Sequence, residues 1–248
     1  MFNRNRKPAA PAAPHTPAMS LDKVPAGLVS LAKTATVSLE KNGLSGLRAA
    51  VYLVVDRSYS MHPYFADGSV QHLADQALGL SVTVDDDGTV PLVMFDSRPY
   101  PLVDIRLDQY AGIVAQQHEF HGGVSTMGGT QYTIAMRAVI EHYLASQATD
   151  PALVIFQTDG APQDPEDVRL QLVQSSKLPV FWSFVGFGRG RVHFLTQLDT
   201  MRGRLLDNAS YFHAGGDPRR IDDGDLYDGI VGEFGQWIPQ ARQKGLLR

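Results

Sequence analysis

Two serines follow an aspartate at alternate positions: Asp56, Ser58 and Ser60. They come directly after the apolar run VYLVV (51–55), which is typical of a strand buried on both faces. Alternate residues of an extended loop point the same way, so the three side chains can converge on one point. The pattern indicates either three oxygen ligands for a hard cation or an ordinary exit from a strand into a loop.

Two further segments carry similar groups beside the predicted strands. The triplet GGT (128–130) precedes a predicted helix, and TDG (158–160) follows a second apolar run, ALVIFQ (152–157). In open α/β sheets ligands bind outside the carboxyl ends of the strands, where these segments are expected to meet. From the three segments, Asp56, Ser58, Ser60, Thr130 and Asp159 offer two carboxylates and three hydroxyls, and no nitrogen or sulfur ligand. Such donors suit Mg²⁺, Mn²⁺ or Ca²⁺.

Strands and helices alternate from residue 48 onward. The predicted strands cover 49–55, 89–95, 100–107, 152–157, 179–188 and 209–215. The predicted helices begin after an N-cap at Ser69, near Tyr110, at Tyr132, after an N-cap at Asp164, near Val192 and near Leu226. A short turn links the second and third strands, so the third strand is predicted to be antiparallel at an edge. The predicted fold class is α/β, with a doubly wound, mostly parallel six-stranded sheet, helices on both faces and one antiparallel edge strand.

Composition divides the chain into three parts. Residues 1–20 are rich in proline and alanine and are predicted to form a disordered tail. Residues 21–47 contain VSLAK and VSLEK, starting at Val29 and Val37, and are predicted to be a covering segment made of two short strands or a helix. Residues 48–248 form the predicted domain, which includes a C-terminal helix.

The overall charge and the absence of cysteine exclude several functions. The 248 residues include 26 acidic and 22 basic side chains, a net charge of −4, which disfavours nucleic acid as the main partner. Disulfides, thiolate zinc sites and cysteine nucleophiles are excluded because the chain has no cysteine. No apolar run reaches the roughly 18 residues needed to span a bilayer, and the basic N-terminus lacks the apolar segment of a secretory signal. A cytoplasmic protein is expected.

The order Asp-x-Ser-x-Ser, then a distant Thr, then a distant Asp resembles the von Willebrand factor A (VWA) family and its metal-ion-dependent adhesion site. The residues that match the motif are Asp56, Ser58, Ser60, Thr130 and Asp159. The resemblance implies that they hold a divalent cation, with Mg²⁺ expected and Mn²⁺ or Ca²⁺ as alternatives. RAAVYLVVDRSYSM, DPALVIFQTDG and KLPVFWSFVGFG are similar to the TerF-like group of bacterial VWA proteins associated with tellurium resistance. The VSLAK/VSLEK segment is similar to short strands of TerD-like stress proteins.

The resemblance implies a binding module and not an enzyme. In the family, hydroxyls and a carboxylate hold the ion directly or through water, and an Asp or Glu of a partner protein completes its coordination. The expected role is that of a protein-interaction module in a bacterial stress or tellurium-resistance system. Many members have Gly between the two serines, where this chain has Tyr59, which is expected to shield the ion or shape the partner surface. Ser125 and Thr126 are neighbouring hydroxyls that compete with Thr130 as ligands.

Two other functions remain open. An aspartate after the first strand of an α/β sheet suits phosphoaspartate chemistry, so one alternative is a Mg²⁺-dependent phosphohydrolase with Asp56 as its nucleophile. The other alternative is a scaffold with the VWA fold and no metal dependence. Two remaining motifs are assigned structural roles. The pair His118-x-x-His121 is predicted to lie on the surface at a helix end, and GFGRG (186–190) is predicted to form a tight turn.

Overall fold

The computed structural model describes residues 15–198 and 201–247, and within them the chain forms a six-stranded sheet. The strands are β1 (Ala50–Asp56), β2 (Thr89–Phe95), β3 (Val103–Arg106), β4 (Ala152–Thr158), β5 (Val180–Phe187) and β6 (Ala209–Gly215). Their order across the sheet is β3-β2-β1-β4-β5-β6, with β3 antiparallel to β2 and the other neighbours parallel. The predicted fold class is therefore confirmed. Residues 1–14 of the predicted tail lie outside the described residues.

Eight α-helices occur in the described part of the chain. They are α1 (Ala26–Lys41), α2 (His62–Ala66), α3 (Ser69–Val84), α4 (Ile113–Phe120), α5 (Tyr132–Ser146), α6 (Pro165–Ser175), α7 (His193–Leu198) and α8 (Asp223–Gln243). Short 3₁₀ turns occupy Leu21–Lys23, Tyr59–Met61, Gly123–Thr126 and Pro218–Arg220. None of the helices in these residues has the length and apolar character needed to cross a bilayer.

Helices cover the sheet on both faces. The sequence of β1 is apolar without alternation because both of its faces are buried. Val51, Leu53 and Val55 belong to one core cluster, which also contains residues of α1, α3 and α8. Tyr52 and Val54 face the other way and join a second cluster with residues of α5, α6 and α7. Burying one such side chain contributes roughly 1.5–3 kcal/mol, so both faces must be apolar for the central strand to be stable there.

The strand order reverses between β1 and β4. From β1 the chain continues to β2 and β3 on one side and then crosses to β4 on the other side. The loops that leave the carboxyl ends of these two strands therefore diverge and open a crevice, which is the usual ligand position in such sheets. The last residues of β1 and β4, at the mouth of this crevice, are Asp56 and Thr158, respectively.

The segment 27–44, for which the sequence permits two strands or a helix, lies mostly in α1. VSLAK and VSLEK are both parts of this helix, so the similarity of these pieces to short strands does not extend to their structure. Leu28, Leu31 and Leu39 of α1 are buried in the same core cluster as α3 and α8, against which the helix packs.

The predicted N-cap at Ser69 is wrong. Gly68 is the N-cap of α3, and Ser69 is the first residue of the helix. The physical reason is the short connection between α2 and α3, in which Gly68 has φ +82°, a left-handed conformation that glycine adopts without strain. The Asp67 carboxylate accepts a hydrogen bond from the Ser69 N–H at 2.8 Å.

Asp164 precedes α6, as predicted, but its side chain caps a different helix. No capping bond joins its carboxylate to α6. One carboxylate oxygen instead accepts from the backbone N–H of Tyr132 at 3.1 Å. The other accepts from the backbone N–H of Thr133 at 3.0 Å and from the Thr133 hydroxyl. Asp164 thus links the first turn of α5 to the loop that follows β4.

Asp164→Ala is expected to lower the free energy of unfolding by about 1–2 kcal/mol, the usual cost of a lost helix N-cap. Urea unfolding followed by tryptophan fluorescence measures the change. Asp167→Ala is the matched control, because Asp167 is an exposed acid in the first turn of α6. Its loss is expected to cost about 0.5 kcal/mol through the helix dipole. Equal costs for the two variants would contradict the assignment of Asp164 as the cap of α5.

Candidate functional site

Asp56 ends β1 at the carboxyl edge of the sheet, and its side chain is fully buried. One carboxylate oxygen accepts a hydrogen bond from the backbone N–H of Ser58 at 2.7 Å, and the other accepts from the Thr158 hydroxyl at 2.6 Å. Burial raises the pKa of Asp56 to about 7, although both hydrogen bonds act to lower it. A buried carboxylate without a cation beside it is costly, so the position favours a positively charged ligand.

A chain of hydrogen bonds connects the Asp56 loop to the loop after β4. The Ser58 and Ser60 hydroxyl oxygens lie 3.2 Å apart, and the Ser60 hydroxyl donates to a carboxylate oxygen of Asp159 at 2.9 Å. Ser58 is buried and Ser60 is exposed, so the cluster reaches from the sheet edge to solvent. Burial raises the pKa of Asp159 as well. The structure therefore brings together four of the five predicted ligands.

Thr130, the fifth predicted ligand, lies on the neighbouring loop. Gly128 forms an isolated parallel bridge with Ser58, and its carbonyl accepts from the N–H of Tyr59 at 3.0 Å. Two hydrogen bonds hold the Thr130 backbone against Gln163: the Gln163 N–H donates to the Thr130 carbonyl at 2.7 Å, and the Thr130 N–H donates to the Gln163 side-chain oxygen at 3.3 Å. The loop before α5 is thereby attached to both of the other loops.

Glycine at position 129 leaves room for the side chain of Gln163, which a larger residue would displace. A Cβ atom there would lie 2.3 Å from the side-chain oxygen of Gln163, which caps the Thr130 N–H. The GGT triplet therefore provides the space for this hydrogen bond as well as a candidate hydroxyl ligand.

The spacing of the oxygens fits a small hard cation. In an octahedral Mg²⁺ shell with ligands at about 2.1 Å, adjacent ligand oxygens lie about 3 Å apart. The Ser58–Ser60 and Ser60–Asp159 oxygen pairs lie 3.2 and 2.9 Å apart. Among residues 15–198 and 201–247, no three acidic or imidazole side chains form a group that could hold a metal. Cation binding at this site would thus depend on the hydroxyl oxygens.

The sequence reasoning missed Arg57, which lies between two predicted ligands and is fully buried. Its side-chain nitrogens Nη1 and Nη2 donate to the Asp96 carboxylate, the Tyr100 hydroxyl, the Thr126 hydroxyl and the backbone carbonyls of His118, His121, Gly123 and Thr126. Asp96 and Tyr100 belong to the link between β2 and β3, and the other acceptors lie between residue 118, in the last turn of α4, and residue 126, before the GGT loop. Arg57 therefore fixes the position of that segment relative to β1. A charged residue directly after a buried strand was the available signal.

Asp96 is the anionic partner of Arg57, and the sequence reasoning missed it too. Its carboxylate is also fully buried, 3.4 Å from the guanidinium. It accepts hydrogen bonds from the Tyr100 hydroxyl at 2.5 Å and from the Arg98 N–H at 2.9 Å. The Asp96 carbonyl accepts from the N–H of Gln131, next to Thr130. The buried Arg57–Asp96 pair therefore connects the loop after Asp56 to the loop that carries Thr130.

The histidine pair is only partly as predicted. The helix ends at Phe120, as expected, but His118 is 4% exposed and is not a surface residue. Burial lowers the pKa of His118, and the positive charge of Arg57 lowers it further. The predicted turn at GFGRG is shorter than expected: Gly186 and Phe187 are the last residues of β5, and the chain bends only over 188–190.

The structure also locates the other residues that the sequence singles out. The Thr126 hydroxyl donates to the His121 carbonyl at 2.6 Å, and the Ser125 hydroxyl donates to the Gly122 carbonyl at 2.8 Å. Both hydroxyls therefore bind backbone outside the Asp56–Asp159 cluster. Tyr59 is 67% exposed, so its ring extends into solvent beside the cluster.

The comparisons with known proteins agree with the fold and with the family resemblance. A family model named vWA-TerF-like, described as "vWA found in TerF C terminus", matches residues 48–247. The uncharacterized protein YcbR of Bacillus subtilis (strain 168) is 31% identical over 217 residues, which cover 87% of this chain and 88% of YcbR. The resemblance stated from the sequence motifs is confirmed.

A solved structure shows the same fold at low sequence identity. A von Willebrand factor type A protein from Catenulispora acidiphila is 18% identical, with a TM-score of 0.50, over 75% of this chain and 42% of that one. Proximal thread matrix protein 1 from the mussel byssus is 15% identical, with a TM-score of 0.48. The match covers 75% of this chain and 47% of the mussel protein chain. The matched region spans less than half of either structure.

Proposed function

The chain belongs to the TerF-like family of von Willebrand factor A domains, and we propose that it is a metal-ion-dependent protein-interaction module. The observation that carries the proposal is the continuous cluster of Asp56, Ser58, Ser60 and Asp159 at the switch point of the sheet. With Thr130 on the adjoining loop, these residues would hold a divalent cation, with Mg²⁺ as the first choice and Mn²⁺ or Ca²⁺ as alternatives. The bound cation would attract a carboxylate of the partner.

Asp56 and Ser60 have different roles at the proposed cation site. Asp56 is held from two sides, so it supplies a fixed negative charge beneath the cation. Ser60 is exposed at the outer end of the cluster, where a partner has access. A cation that its own protein coordinates with few charged ligands retains positive charge, and it therefore favours an incoming Asp or Glu over a neutral group.

We propose that the module is not catalytic. Asp56 is fully buried, and its two oxygens accept hydrogen bonds from Ser58 and Thr158. A phosphate ester is much larger than a metal ion and needs direct access to the nucleophile, so the full burial of Asp56 disfavours a phosphoaspartate mechanism. The setting we propose is the bacterial cytoplasm, in a stress or tellurium-resistance system. The TerF-like family and the absence of cysteine support this setting.

Calorimetric titration of metal-stripped protein with Mg²⁺, Mn²⁺ and Ca²⁺ tests the proposal. Saturable binding is expected for the wild type, and Ser60→Ala is expected to weaken it at least about tenfold by removing one ligand. Ser125→Ala is the matched control, because it deletes a nearby exposed hydroxyl that binds only the Gly122 carbonyl. Its affinity is expected to equal that of the wild type.

Two results would favour the alternative functions. An absence of binding for all three cations would support a scaffold without metal dependence. Metal-dependent hydrolysis of p-nitrophenyl phosphate that disappears in Asp56→Ala would support the phosphohydrolase.

A further inference from the structure

The hydroxyl of Tyr132 connects the two segments that carry the acidic candidate ligands, Asp56 and Asp159. It donates to the backbone carbonyl of Gly160, the residue after Asp159, and it lies 3.2 Å from the hydroxyl oxygen of Thr158, the residue before Asp159. The Thr158 hydroxyl in turn donates to the Asp56 carboxylate at 2.6 Å. The phenol oxygen is therefore one hydrogen bond from the Asp159 loop and two hydrogen bonds from the carboxylate of Asp56.

The direction of these hydrogen bonds follows from the number of protons. An ionised carboxylate only accepts, so the single proton of the Thr158 hydroxyl is donated to Asp56. The Thr158 oxygen then remains as an acceptor for the Tyr132 proton, and the Gly160 carbonyl is the other acceptor within reach. Loss of the phenol hydroxyl removes a donor from both acceptors, and loss of the Thr158 hydroxyl removes a donor from Asp56.

The ring of Tyr132 is tightly packed, so the position of its hydroxyl is fixed. The side chain has no exposed surface. Four aromatic rings surround it, with ring centroids 4.8–6.4 Å away: those of Phe95, Phe156, Phe184 and Phe194. An aromatic core of this kind favours phenylalanine, because a buried hydroxyl is costly unless it has a hydrogen-bond partner. Here the partners of the hydroxyl are the segments of the candidate cation site.

The backbone of Tyr132 brings the third segment into the same arrangement. Tyr132 is the first residue of α5 and follows Thr130 by two positions. Its N–H donates to the Asp164 carboxylate at 3.1 Å. The one residue therefore adjoins the GGT loop through the chain, the loop after β4 directly, and Asp56 through Thr158.

We propose that Tyr132 and Thr158 are positioning residues that give the candidate cation site its selectivity for Mg²⁺ over Ca²⁺. This inference rests on the proposed function, because it concerns the cation that the function requires. Mg²⁺ demands near-ideal octahedral geometry with ligands at about 2.0–2.1 Å, whereas Ca²⁺ accepts a flexible shell at about 2.3–2.6 Å. Ligand loops that buried hydrogen bonds fix in place favour the stricter ion, and loops that can separate favour the larger ion.

Calorimetric titration of metal-stripped protein with Mg²⁺ and with Ca²⁺ measures the ratio of the two dissociation constants. The wild type is expected to bind Mg²⁺ more tightly than Ca²⁺. Tyr132→Phe is expected to weaken Mg²⁺ binding at least about tenfold, the usual effect of losing an outer hydrogen-bond partner of a metal site, and Ca²⁺ binding by less than about threefold. The selectivity therefore falls although the shape of the core is preserved.

Two variants of Thr158 test the other hydroxyl. Thr158→Val keeps nearly the same shape without the hydroxyl, and it is expected to lower the selectivity in the same way as Tyr132→Phe. Thr158→Ser keeps the hydroxyl, and it is expected to bind both ions within about threefold of the wild type. Equal selectivity in the valine and serine variants would contradict the role of this hydroxyl.

Tyr143→Phe is the matched control, because it removes the same group from the same helix. Tyr143 is buried, and its hydroxyl donates at 2.7 Å to the carbonyl of Asp150, before the amino end of β4 and thus at the opposite edge of the sheet. The variant is expected to lower the urea midpoint about as much as Tyr132→Phe does and to leave the ratio of dissociation constants unchanged. A ratio that does not move in Tyr132→Phe, or that falls equally in Tyr143→Phe, would overturn the inference.

Amide hydrogen exchange in metal-stripped protein tests the positioning without a cation. The N–H groups of Ser58 and Gln163, which donate to Asp56 and to the Thr130 carbonyl, are expected to exchange at least about threefold faster in Tyr132→Phe than in Tyr143→Phe. Equal exchange in the two variants would refute the positioning role. Failure of the proposed function has a different signature: the wild type would bind neither ion, and the selectivity would be refuted with it. Binding with an unmoved ratio would overturn this inference alone.

Discussion

Replacing Arg57 with methionine is expected to lower the free energy of unfolding by about 3–5 kcal/mol. The substitution leaves the fully buried carboxylate of Asp96 without its cationic partner, and breaking one side of a buried ion pair typically has this cost. It also removes the donors that bind backbone carbonyls between α4 and the GGT loop. Urea unfolding followed by the fluorescence of the buried residues Trp182 and Trp237 measures the loss.

Arg98→Met is the matched control for this prediction. Arg98 also contacts Asp96 and Tyr100, but its side chain is 59% exposed. Exposed ion pairs contribute little, so the expected loss is at most about 1 kcal/mol. Arg57→Lys is expected to recover only part of the stability, because a lysine has a single ammonium where the guanidinium reaches several acceptors. Similar losses for Arg57→Met and Arg98→Met would contradict the assigned role of Arg57.

Asp56→Asn is expected to make the metal-stripped protein more stable than the wild type at pH 8, by up to about 4 kcal/mol. Burial raises the pKa of Asp56 to about 7, so the folded protein binds this proton more tightly than the unfolded chain does. Wild-type stability therefore falls as the pH rises from about 4 to about 7, and asparagine removes this contribution. Urea unfolding in EDTA at pH 5 and pH 8 measures the difference between the two proteins.

Saturating Mg²⁺ is expected to reduce the stability advantage of Asp56→Asn over the wild type. A cation that binds only the folded wild type stabilises it by about 2.7 kcal/mol at a concentration of 100 Kd, and Asp56→Asn should gain much less. Asp86→Asn, a substitution of an exposed acid at the opposite edge, is expected to change stability by less than about 0.5 kcal/mol under either condition. Equal stability of wild type and Asp56→Asn at pH 8 in EDTA would show that the buried carboxylate carries no such cost.

Local sequence patterns were sufficient to predict the architecture. A strand such as β1 is apolar on both faces because helices cover both sides, and this pattern is visible without tertiary contacts. The sequence of segment 27–44 permits a short strand or a helix, because its apolar residues suit either until α3 and α8 are present to pack against them. The N-cap at Ser69 was misplaced because capping depends on the conformation of Gly68, which the hydroxyl of the next residue does not reveal.

By itself, the sequence determined the candidate ligands and the edge of the sheet on which they lie. The spacing of Asp56, Ser58 and Ser60 after an apolar strand is a local property, because a strand end and an extended loop set the direction of all three side chains. Only the tertiary structure decided what supports them and what adjoins them. The Arg57–Asp96 ion pair joins two residues that are 39 positions apart in the chain, and they meet only after the strand order is established. Burial depends on the folded chain as a whole, so only the tertiary structure shows that Arg57 and His118 lie in the interior and not on the surface.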